Sequence, residues 1–345
     1  MKVRITEDLI EWYRINQRDL PWRHTKNAYY IWISEIMLQQ TRVETVIDYY
    51  KRFLSFFPTL KDLAEAKEDV LLKAWEGLGY YSRVRNMQKT AQILLNHGMM
   101  TLPNKESELL ALPGIGPYTA GAILSIAYDI PSVAIDGNVY RVLGRVYEVK
   151  DSINKPKATR IYKEIMDSLL PNKEASFFTQ SFMDLGSLIC TPKSPRCEEC
   201  PLRKGCLSFK SGEVLLYPKK DKKKDKKVVE MTVFLYIYKN KVAIRKRENK
   251  GLLASLYEFP NINQIVSEID IENQLIDENV SYYSVSKIGD AEHIFSHVIW
   301  NMTGYKVVLK KPIVDYLWVT KEEICQFYSI PSAFAYFCDS FLNCI

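Results

Sequence analysis

Four cysteines stand close together in the run CTPKSPRCEECPLRKGC, at Cys190, Cys197, Cys200 and Cys206. This C-x6-C-x2-C-x5-C spacing brings four thiolates into one short loop, which has to fold around whatever they bind. Four thiolates suit a [4Fe–4S] cluster, and the prolines and charges between them argue against a buried apolar stripe. Two alternatives stay open: unrelated free thiols, and a zinc site, although zinc sites usually pair two close C-x2-4-C motifs across a longer gap.

The other three cysteines, Cys325, Cys338 and Cys344, form no array, and we interpret them as small core hydrophobes. The total of seven cysteines is odd, and the N-terminal residues lack the apolar stretch of a signal peptide. No segment approaches the length of a membrane span. We therefore expect a protein of the reducing cytosol that does not enter a membrane.

Charge is unevenly distributed along the 345 residues. Residues 1–218 carry 29 Lys and Arg against 25 Asp and Glu, residues 219–227 carry seven Lys against two Asp, and residues 228–345 carry 11 basic against 14 acidic side chains. A run such as KKDKKKDKK is usually a solvated segment. Because it follows the cysteine loop and the helical motif described below, we favour a polyanionic partner.

Hydrophobic periodicity divides the chain into two parts, and its 47% hydrophobic content allows two domains. Up to about residue 212, apolar residues recur at i, i+3 and i+4, which predicts an all-α part. The predicted helices cover residues 9–13, 31–46, 70–75, 84–95, 119–127, 139–146, 159–170 and 177–189. After the lysine run, stretches such as VVEMTVFLYIY, KVAIRKR, HVIWNMTGYKVVL and YLWVT predict strands, with helices around 265–275 and near the C-terminus.

The run LPGIGPYTAGAILSIA places a tight turn with two glycines, Gly114 and Gly116, directly before a helix. Glycine permits the turn, and the helix N-terminus presents backbone N–H groups and a dipole that favour an anion. A bare GxG turn is usually only a helix connection. The full LPGIGxxTA pattern is typical of a helix–hairpin–helix, which holds a DNA phosphate without reading sequence.

Two carboxylates indicate the chemistry. Glu35 lies among apolar helical neighbours in YYIWISEIMLQQTRVETVI, and partial desolvation there would raise its pKa towards that of a general acid. The alternative for Glu35 is an ordinary solvated side chain, as most helical glutamates are. Asp136 begins a helix in VAIDGNVYRVLGR, where the alternative is a simple N-cap. As a pair, however, two carboxylates in unequal environments are the usual equipment for glycosidic cleavage through an oxocarbenium-like transition state.

These motifs resemble those of adenine DNA glycosylases of the MutY family. The matching blocks span nearly the whole length: LPWR, SEIMLQQTRVETV, AWEGLGYYSRVRN, LPGIGPYTAGA, AIDGNVYRVLGR, MDLGSLIC with the cysteine array, and FSH. The resemblance implies a multidomain protein with an all-α helix–hairpin–helix glycosylase domain over 1–212, a basic linker over 213–228 and an α+β Nudix-like domain over 229–345. The first domain would combine a six-helix barrel, roughly 24–130, with a cluster-bearing module from 1–23 and 131–212.

The resemblance also implies a reaction. The family removes adenine mispaired with 8-oxoguanine or guanine, after flipping the base out of the duplex. Glu35 would protonate N7 of adenine and then help to bring in water, and Asp136 would stabilise the oxocarbenium ion or trap it transiently as a covalent adduct. Tyr118 and Asn138 would support Asp136. Related bifunctional enzymes place a Schiff-base lysine where this chain has Tyr118, so a phenol there predicts a monofunctional glycosylase.

Other residues match positions that contact the substrate in this family. Gln40 and Thr41 would form a wedge beside the oxidised guanine, with Leu78 and Tyr80 adding apolar and aromatic contacts. Ordinary core packing is the alternative for Leu78, Tyr80 and Tyr118. The walls of the adenine pocket would be Arg18, Trp22, Arg23, Val43 and Gln180. The Gln180 amide would meet the hydrogen-bonding edge of the base.

The C-terminal domain resembles the Nudix fold without its hydrolytic motif. A Nudix hydrolase needs a Gly-x5-Glu-x7-Arg-Glu-x2-Glu-Glu helix, but the segment from Gly251 has no such run, so the carboxylate ligands for magnesium are missing. The resemblance implies instead that this domain reads the lesion. Its loop of Phe295, Ser296 and His297 would reach the 8-oxoguanine, with the Ser296 hydroxyl bonding to a guanine edge.

Three other functions stay open from the sequence. A bifunctional lyase of the thymine-glycol type shares the helical part but lacks the Nudix-like domain and needs a lysine at position 118. A binding-only scaffold would tolerate loss of Glu35 or Asp136, and a nucleotide pyrophosphohydrolase needs the missing metal helix. The expected partner is double-stranded DNA with A:8-oxoguanine or A:G mispairs, bound by a monomer in the cytoplasm, nucleoid-associated if the source is bacterial.

Overall fold

The structure is a computed structural model that describes residues 2–221 and 225–343. It divides into two compact units: a helical unit of Met1–Glu65 with Asn86–Lys223, and a sheet unit of Ala66–Arg85 with Lys224–Ile345. Cys344 and the lysines at 222–224 lie outside the described residues. The domain limits predicted at residues 212 and 229 remain predictions.

Helices make up the chain before the lysine run, as the periodicity predicts. Their first turns gather favourable residues: Pro117 and Pro156 begin two of the helices, and the Asn27 side chain caps a third by accepting the N–H groups of Tyr29 and Tyr30. The helices are α1 (Lys2–Asn16), α2 (Ala28–Met37), α3 (Val43–Phe56), α4 (Leu60–Glu65), α5 (Glu68–Ala74), α6 (Ser82–Asn96), α7 (Glu106–Leu110), α8 (Pro117–Tyr128), α9 (Gly137–Val146), α10 (Pro156–Leu169), α11 (Ala175–Leu188) and α12 (Leu207–Ser211).

The single helix predicted for residues 31–46 is wrong. Helix α2 ends at Met37, α3 begins at Val43, and between them Gln40 has a left-handed backbone with φ of 58°. The apolar spacing continues across this turn, so periodicity alone does not reveal the break. The turn matters because it releases Gln39, Gln40 and Thr41 from helical geometry and lets them line a cavity.

The predicted helix–hairpin–helix is confirmed in its local geometry. Helix α7 leads into a turn in which Gly114 has φ of 76°, and α8 begins after Gly116. Further along α8, a Cβ on Gly121 would lie 2.0 Å from the carbonyl oxygen of Val133, so only glycine permits this approach. The close contact sets the distance between α8 and the segment that leads to Asp136.

Two apolar clusters formed by described residues lie in the helical unit and stabilise it. The larger one joins α1, α9, α10, α11 and the cysteine loop, through fully buried side chains such as Leu9, Leu143 and Phe178. Each such side chain contributes roughly 1.5–3 kcal/mol by its removal from water. The smaller cluster joins α2, α8 and α11 through Ile31, Ala122, Ile126, Ala134 and Met183. It therefore fixes the helices that carry the candidate site.

The sheet unit is built on a mixed sheet of the order β3-β2-β1-β6-β5, with β4 pairing β1 and β7 pairing β2. Strands β1 and β6 run parallel, whereas β5 and β6 form an antiparallel hairpin. The strands are β1 (Lys227–Tyr238), β2 (Lys241–Lys246), β3 (Tyr257–Glu258), β4 (Asn261–Ile262), β5 (Tyr282–Ile294), β6 (Val298–Leu309) and β7 (Leu317–Val319). The turn between β5 and β6 consists of Phe295, Ser296 and His297.

Strand β1 begins inside the predicted linker of residues 213–228. Lys227 pairs with Val298, and a short 3-10 helix, Val214–Leu216, lies at the other end of the segment. The linker limits stay a prediction, although Lys227, at the end of this range, offers its backbone to the neighbouring strand.

Helices cover both faces of the sheet. On one face, α14 (Lys321–Phe327) and α15 (Ala335–Leu342) pack through residues such as Ile324 and Phe337, and on the other α13 (Glu268–Asp277) packs through Ile271 and Leu275. Residues 66–85 belong to this unit through α5, which packs on α14. In the described part of the chain, no helix has the length and apolarity that a membrane span requires.

Candidate active site

A cavity of about 550 Å³ lies in the helical unit. It is lined by the end of α2, the turn before α3, the start of α8, the start of α9 and one face of α11. Eleven of the residues predicted from the sequence line it together, although they are far apart in the chain: Arg18, Trp22, Arg23, Glu35, Gln40, Thr41, Val43, Tyr118, Asp136, Asn138 and Gln180.

Glu35 supplies a buried carboxyl group to this cavity. Helix α2 is apolar on nearly every side, and only 4% of Glu35 is exposed. The Tyr118 hydroxyl donates a hydrogen bond of 2.5 Å to Oε2 of Glu35. Burial raises the pKa of Glu35 to about 7, and although the Tyr118 hydrogen bond and the Arg23 charge oppose this rise, the Asp136 charge adds to it. The carboxyl can therefore hold or release a proton near neutral pH.

Asp136 is the N-cap of α9 and a wall of the same cavity. Its Oδ1 accepts the backbone N–H of Val139 at 2.8 Å, and its Oδ2 accepts Nδ2 of Asn138 at 2.7 Å. Burial raises the pKa of Asp136, while these hydrogen bonds and the Arg141 charge oppose the rise. The N-cap predicted from local sequence is confirmed. It also orients the carboxylate, because the first turn of a helix stabilises negative charge.

Arg141 supports this arrangement, and the sequence analysis missed it. Its NH2 donates to Oδ1 of Asn138 at 2.6 Å and to the carbonyl oxygen of Gly186 at 2.8 Å, and its Nε donates to the carbonyl oxygen of Cys190 at 2.7 Å. One side chain thus joins the Asp136–Asn138 pair to α11 and to the first cysteine. Its spacing of three residues from Asn138, on one helix face, was the available signal.

Asp184 is a second residue that the sequence analysis missed. It is fully buried on α11, where its Oδ1 accepts one hydrogen bond from Nε of Arg18 at 2.9 Å and another from NH2 of Arg23 at 2.9 Å. A buried carboxylate needs such partners to remain charged. Asp184 therefore fixes two of the arginines that line the cavity, Arg18 and Arg23. The signal in the sequence was a lone acid within the apolar run of α11.

Gln180 lines the cavity, but its amide already has protein partners. Its Nε2 donates to the carbonyl oxygen of Ser176 at 3.1 Å and to the Ser176 hydroxyl at 2.8 Å, while its Oε1 accepts a hydrogen bond from Arg23. In this arrangement both amide hydrogens are used, and Gln180 keeps one lone pair on Oε1 for a ligand.

Of the residues predicted to contact the lesion, Gln40 and Thr41 line the first cavity, in the helical unit, and the others lie in the sheet unit. The sheet unit has a second cavity, of about 310 Å³. Tyr80, Phe295, Ser296 and His297 line it, and Tyr80 is 47% exposed. Leu78 does not line it, because its side chain is buried, as the core-packing alternative predicts. The end of β5, with His293 and Ile294, also lines this cavity.

The four predicted cluster ligands line one apolar pocket in the helical unit. Burial raises the pKa values of Cys190, Cys197 and Cys200, and the neighbouring thiols add to each rise because the cysteines stand close together. Arg145, which is buried, donates to Sγ of Cys190 at 3.3 Å and to the backbone beside it. No three His, Cys, Asp or Glu side chains of the described residues are arranged to hold a metal ion. The four thiols thus surround one pocket without converging on a single ion, which fits a cubane, with one thiolate at each iron, better than a zinc ion.

Matches to family models agree with this geometry. Residues 33–168 match the HhH-GPD superfamily of base excision DNA repair proteins, 190–206 match the iron-sulfur binding domain of endonuclease III, and 232–339 match the NUDIX domain. The fold and the cavity thus define a helix–hairpin–helix DNA glycosylase of base excision repair with a [4Fe–4S] cofactor.

Relatives narrow the class further. Adenine DNA glycosylase of Buchnera aphidicola subsp. Baizongia pistaciae is 35% identical over 309 residues, which cover 88% of this chain and 86% of the relative. That of subsp. Schizaphis graminum is 38% identical over 293 residues, covering 84% and 83%. A non-covalent endonuclease III–DNA complex is similar in fold, with a TM-score of 0.52 and 25% identity, covering 61% of this chain and 98% of that chain. The chain belongs to the adenine DNA glycosylases, and DNA is its partner.

The buried carboxyl of Glu35 predicts a pH-dependent stability. A pKa raised from 4.5 to about 7 means that the folded state binds its proton more tightly than the unfolded state. This contribution to the free energy of unfolding is fully present below pH about 4.5 and is lost as the pH rises through about 7. The free energy of unfolding should fall by about 3 kcal/mol over this range. For Glu35→Gln, the free energy of unfolding, measured by denaturant titration between pH 4.5 and 8, should not show this fall. Glu44→Gln, at an exposed glutamate, should melt like the wild type at every pH, and equal pH profiles for all three proteins would refute the burial argument.

Gly186 provides a steric test of the Asp136–Asn138 pair. A Cβ at position 186 would lie 2.5 Å from Cβ of Asn138, so Gly186→Ala has to displace this side chain. We expect single-turnover adenine release to fall on the order of 100-fold, because a displacement of about 1 Å near reacting groups has effects of this size. Gly205→Ala is the control, since no heavy atom lies within 4 Å of its Cβ. Unchanged release by a folded Gly186→Ala protein would contradict the role of this contact.

Proposed function

We propose that this adenine DNA glycosylase is monofunctional and hydrolyses the N-glycosidic bond of adenine mispaired with 8-oxoguanine or guanine in duplex DNA. The observation that carries the proposal is the pairing, in one cavity, of Glu35, whose pKa is about 7, with Asp136. A volume of about 550 Å³ is sufficient for an extruded base. The enzyme would act as a monomer in the cytoplasm, associated with the nucleoid if its source is bacterial.

Glu35 is proposed as the general acid. In its protonated form it donates to N7 of adenine, which lets the base leave without negative charge as the bond to C1′ breaks. The resulting carboxylate then accepts a proton from the water that attacks C1′, which restores the acid. Tyr118 keeps the group oriented, because burial and the Glu35 carboxylate hold the pKa of this phenol well above its usual range and its hydroxyl stays a donor.

Asp136 is proposed to stabilise the positive charge that develops on the sugar. A carboxylate near C1′ stabilises an oxocarbenium ion by electrostatic attraction, or traps it as a short-lived adduct that water then opens. The N-cap bond from Val139 and the bond from Asn138 fix its orientation in advance. Such preorganisation avoids rearrangement at the moment of reaction.

The amine chemistry of a lyase has no support in this cavity. Among the described residues that line it there is no lysine, and the position that would carry the Schiff-base amine is Tyr118. A phenol cannot form an imine with the opened sugar. We therefore propose that an abasic site is the product and that the strand stays intact.

Recognition of the DNA is assigned to three groups of residues. Gly114 and Gly116 place the N-terminus of α8 against a backbone phosphate, and no side chain of the described residues caps that helix. Arg18, Trp22, Arg23, Val43 and Gln180 would enclose adenine, Gln40 and Thr41 would wedge beside the 8-oxoguanine, and Tyr80 with the turn of Phe295, Ser296 and His297 would contact the lesion. Cys190, Cys197, Cys200 and Cys206 would hold the cluster, which supports the fold and takes no part in breaking the bond.

Glu35→Gln tests the catalytic assignment. The amide cannot donate an acidic proton, so single-turnover release of adenine from a labelled A:8-oxoguanine duplex should fall at least 1000-fold while duplex binding is kept. Glu44→Gln should release adenine at the wild-type rate. For the wild type, strand breaks should appear only after alkali. Near-normal release by Glu35→Gln would refute the general acid, and strand breaks without alkali would refute the monofunctional mechanism.

Changing Ser296 and His297 together to Ala tests the lesion contact. Loss of hydrogen bonds to the oxidised guanine should reduce the preference for A:8-oxoguanine over A:G on the order of tenfold. The measurement is the ratio of single-turnover rates on the two duplexes at subsaturating enzyme. Ser286→Ala, at an exposed serine on β5, is the control and should keep the wild-type ratio. Equal losses on both duplexes would show that the turn does not read the lesion.

A further inference from the structure

Two side chains behind the wall of the first cavity, Lys26 and Ser176, have no role in the proposed reaction. They are not among the described residues that line the cavity, but both are connected to Gln180, which does line it. Nζ of Lys26 donates to the Ser176 hydroxyl at 2.8 Å, and Nε2 of Gln180 donates to the same hydroxyl at 2.8 Å. Two hydrogen bonds thus connect an exposed lysine to the cavity wall.

The C-terminal end of α8 holds Lys26 and Ser176 in place. Nζ of Lys26 also donates to the carbonyl oxygen of Ile126 at 2.9 Å, in the last turn of α8, where the helix dipole favours a cation. Asp129, which follows that helix, accepts the backbone N–H of Ser176 at 2.9 Å. The Ser176 side chain is buried, and the bond from Lys26 selects the rotamer in which its hydroxyl oxygen meets Gln180.

The surrounding groups determine which end of the Gln180 amide is the oxygen. The carbonyl oxygen of Ser176 can only accept, and it lies 3.1 Å from one end of the amide, whereas Arg23 can only donate and bonds to the other end. Nε2 therefore faces Ser176 and Oε1 faces Arg23. Because the Ser176 hydroxyl takes the second hydrogen of Nε2, Gln180 offers a ligand an acceptor and no donor.

We propose, building on the excision of adenine proposed above, that Ser176, held by Lys26, is a positioning residue that restricts Gln180 to accepting a hydrogen bond. This restriction sets a preference for a purine with an amino group at C6. The C6 amino group of adenine donates a hydrogen bond, whereas hypoxanthine has an accepting carbonyl oxygen at C6. The remaining lone pair of Oε1 suits the amino group, but it is left unpaired against a carbonyl oxygen.

Loss of the Ser176 hydroxyl should change what Gln180 offers. One amide hydrogen would then be buried without an acceptor, which is costly. The amide would relieve this cost by turning its nitrogen towards the cavity, where it could donate to a carbonyl oxygen of the base. Ser176→Ala should therefore bind adenine less well and hypoxanthine better. Alanine suits a helix, so the first turn of α11 should tolerate the change.

The first experiment measures duplex binding by the full-length holoprotein without cleavage. The base opposite 8-oxoguanine is adenine or hypoxanthine, and its sugar carries fluorine at C2′, which withdraws electrons and disfavours the oxocarbenium-like transition state. The wild type should bind the adenine duplex more tightly. The ratio of the two dissociation constants should shrink about tenfold in Ser176→Ala and about threefold in Lys26→Met, which are effects of the size of one hydrogen bond.

Two variants serve as controls for the binding experiment. Lys26→Arg keeps a cationic donor near Ser176 and should restore most of the ratio that Lys26→Met loses. Lys51→Met, at an exposed lysine of α3 outside the cavity lining, should keep the wild-type ratio. A purely structural role of Ser176 would weaken binding of both duplexes alike. An equal loss on both duplexes in Ser176→Ala, or an unchanged ratio, would therefore overturn the positioning role.

The second experiment measures single-turnover release of adenine and of hypoxanthine from the corresponding duplexes without fluorine. The ratio of the two rates should change in the same direction and order as the binding ratio. Altered binding ratios in the variants, together with no adenine release by the wild type, would refute the proposed reaction but support the positioning role. Normal release by the wild type with unchanged ratios in Ser176→Ala would refute the positioning role alone.

Discussion

Burial of one carboxyl group, that of Glu35, is the constraint on which the candidate active site depends. Its helix is packed on nearly all sides, so the charge of Glu35 is costly and its pKa rises to about 7. That cost is tolerated because Tyr118 donates to the carboxylate form and Arg23 faces it. A fully apolar surrounding would keep the acid permanently protonated, whereas an exposed one would leave it ionised. The result is a carboxyl group with a pKa of about 7 inside a cavity of about 550 Å³.

Two buried hydrogen-bond networks position the side chains around Glu35. Asp184 fixes Arg18 and Arg23 on one side of the cavity, and Arg141 fixes Asn138, and through it Asp136, on the other. The second network ends at the carbonyl oxygen of Cys190. The cysteine loop is thus joined to the residues that orient Asp136. This agrees with the proposal that the reaction takes place at the two carboxylates rather than at the cluster.

The sheet unit also contains a buried carboxylate, that of Glu258, which is paired with arginines. Glu258 is buried, and both Arg245 and Arg247 donate hydrogen bonds to its carboxylate. The hairpin turn between β5 and β6 lies between a cavity at these arginines and the smaller one at Tyr80. The unit therefore has two neighbouring cavities, one lined in part by Tyr80 and the other in part by Arg245 and Arg247.

The sequence by itself determined the features that are local in the chain: the division into helices and strands, the glycine turn before α8, the N-cap at Asp136, the apolar neighbours of Glu35 and the spacing of the four cysteines. Each follows from residues within a few positions of one another. Tertiary structure alone decided the break between α2 and α3, the burial of Leu78, the partners of Asp184 and Arg141, and the pairing of Arg245 and Arg247 with Glu258. These depend on partners far away in the chain, and neither periodicity nor a short motif specifies which distant side chain will supply a hydrogen bond or displace water.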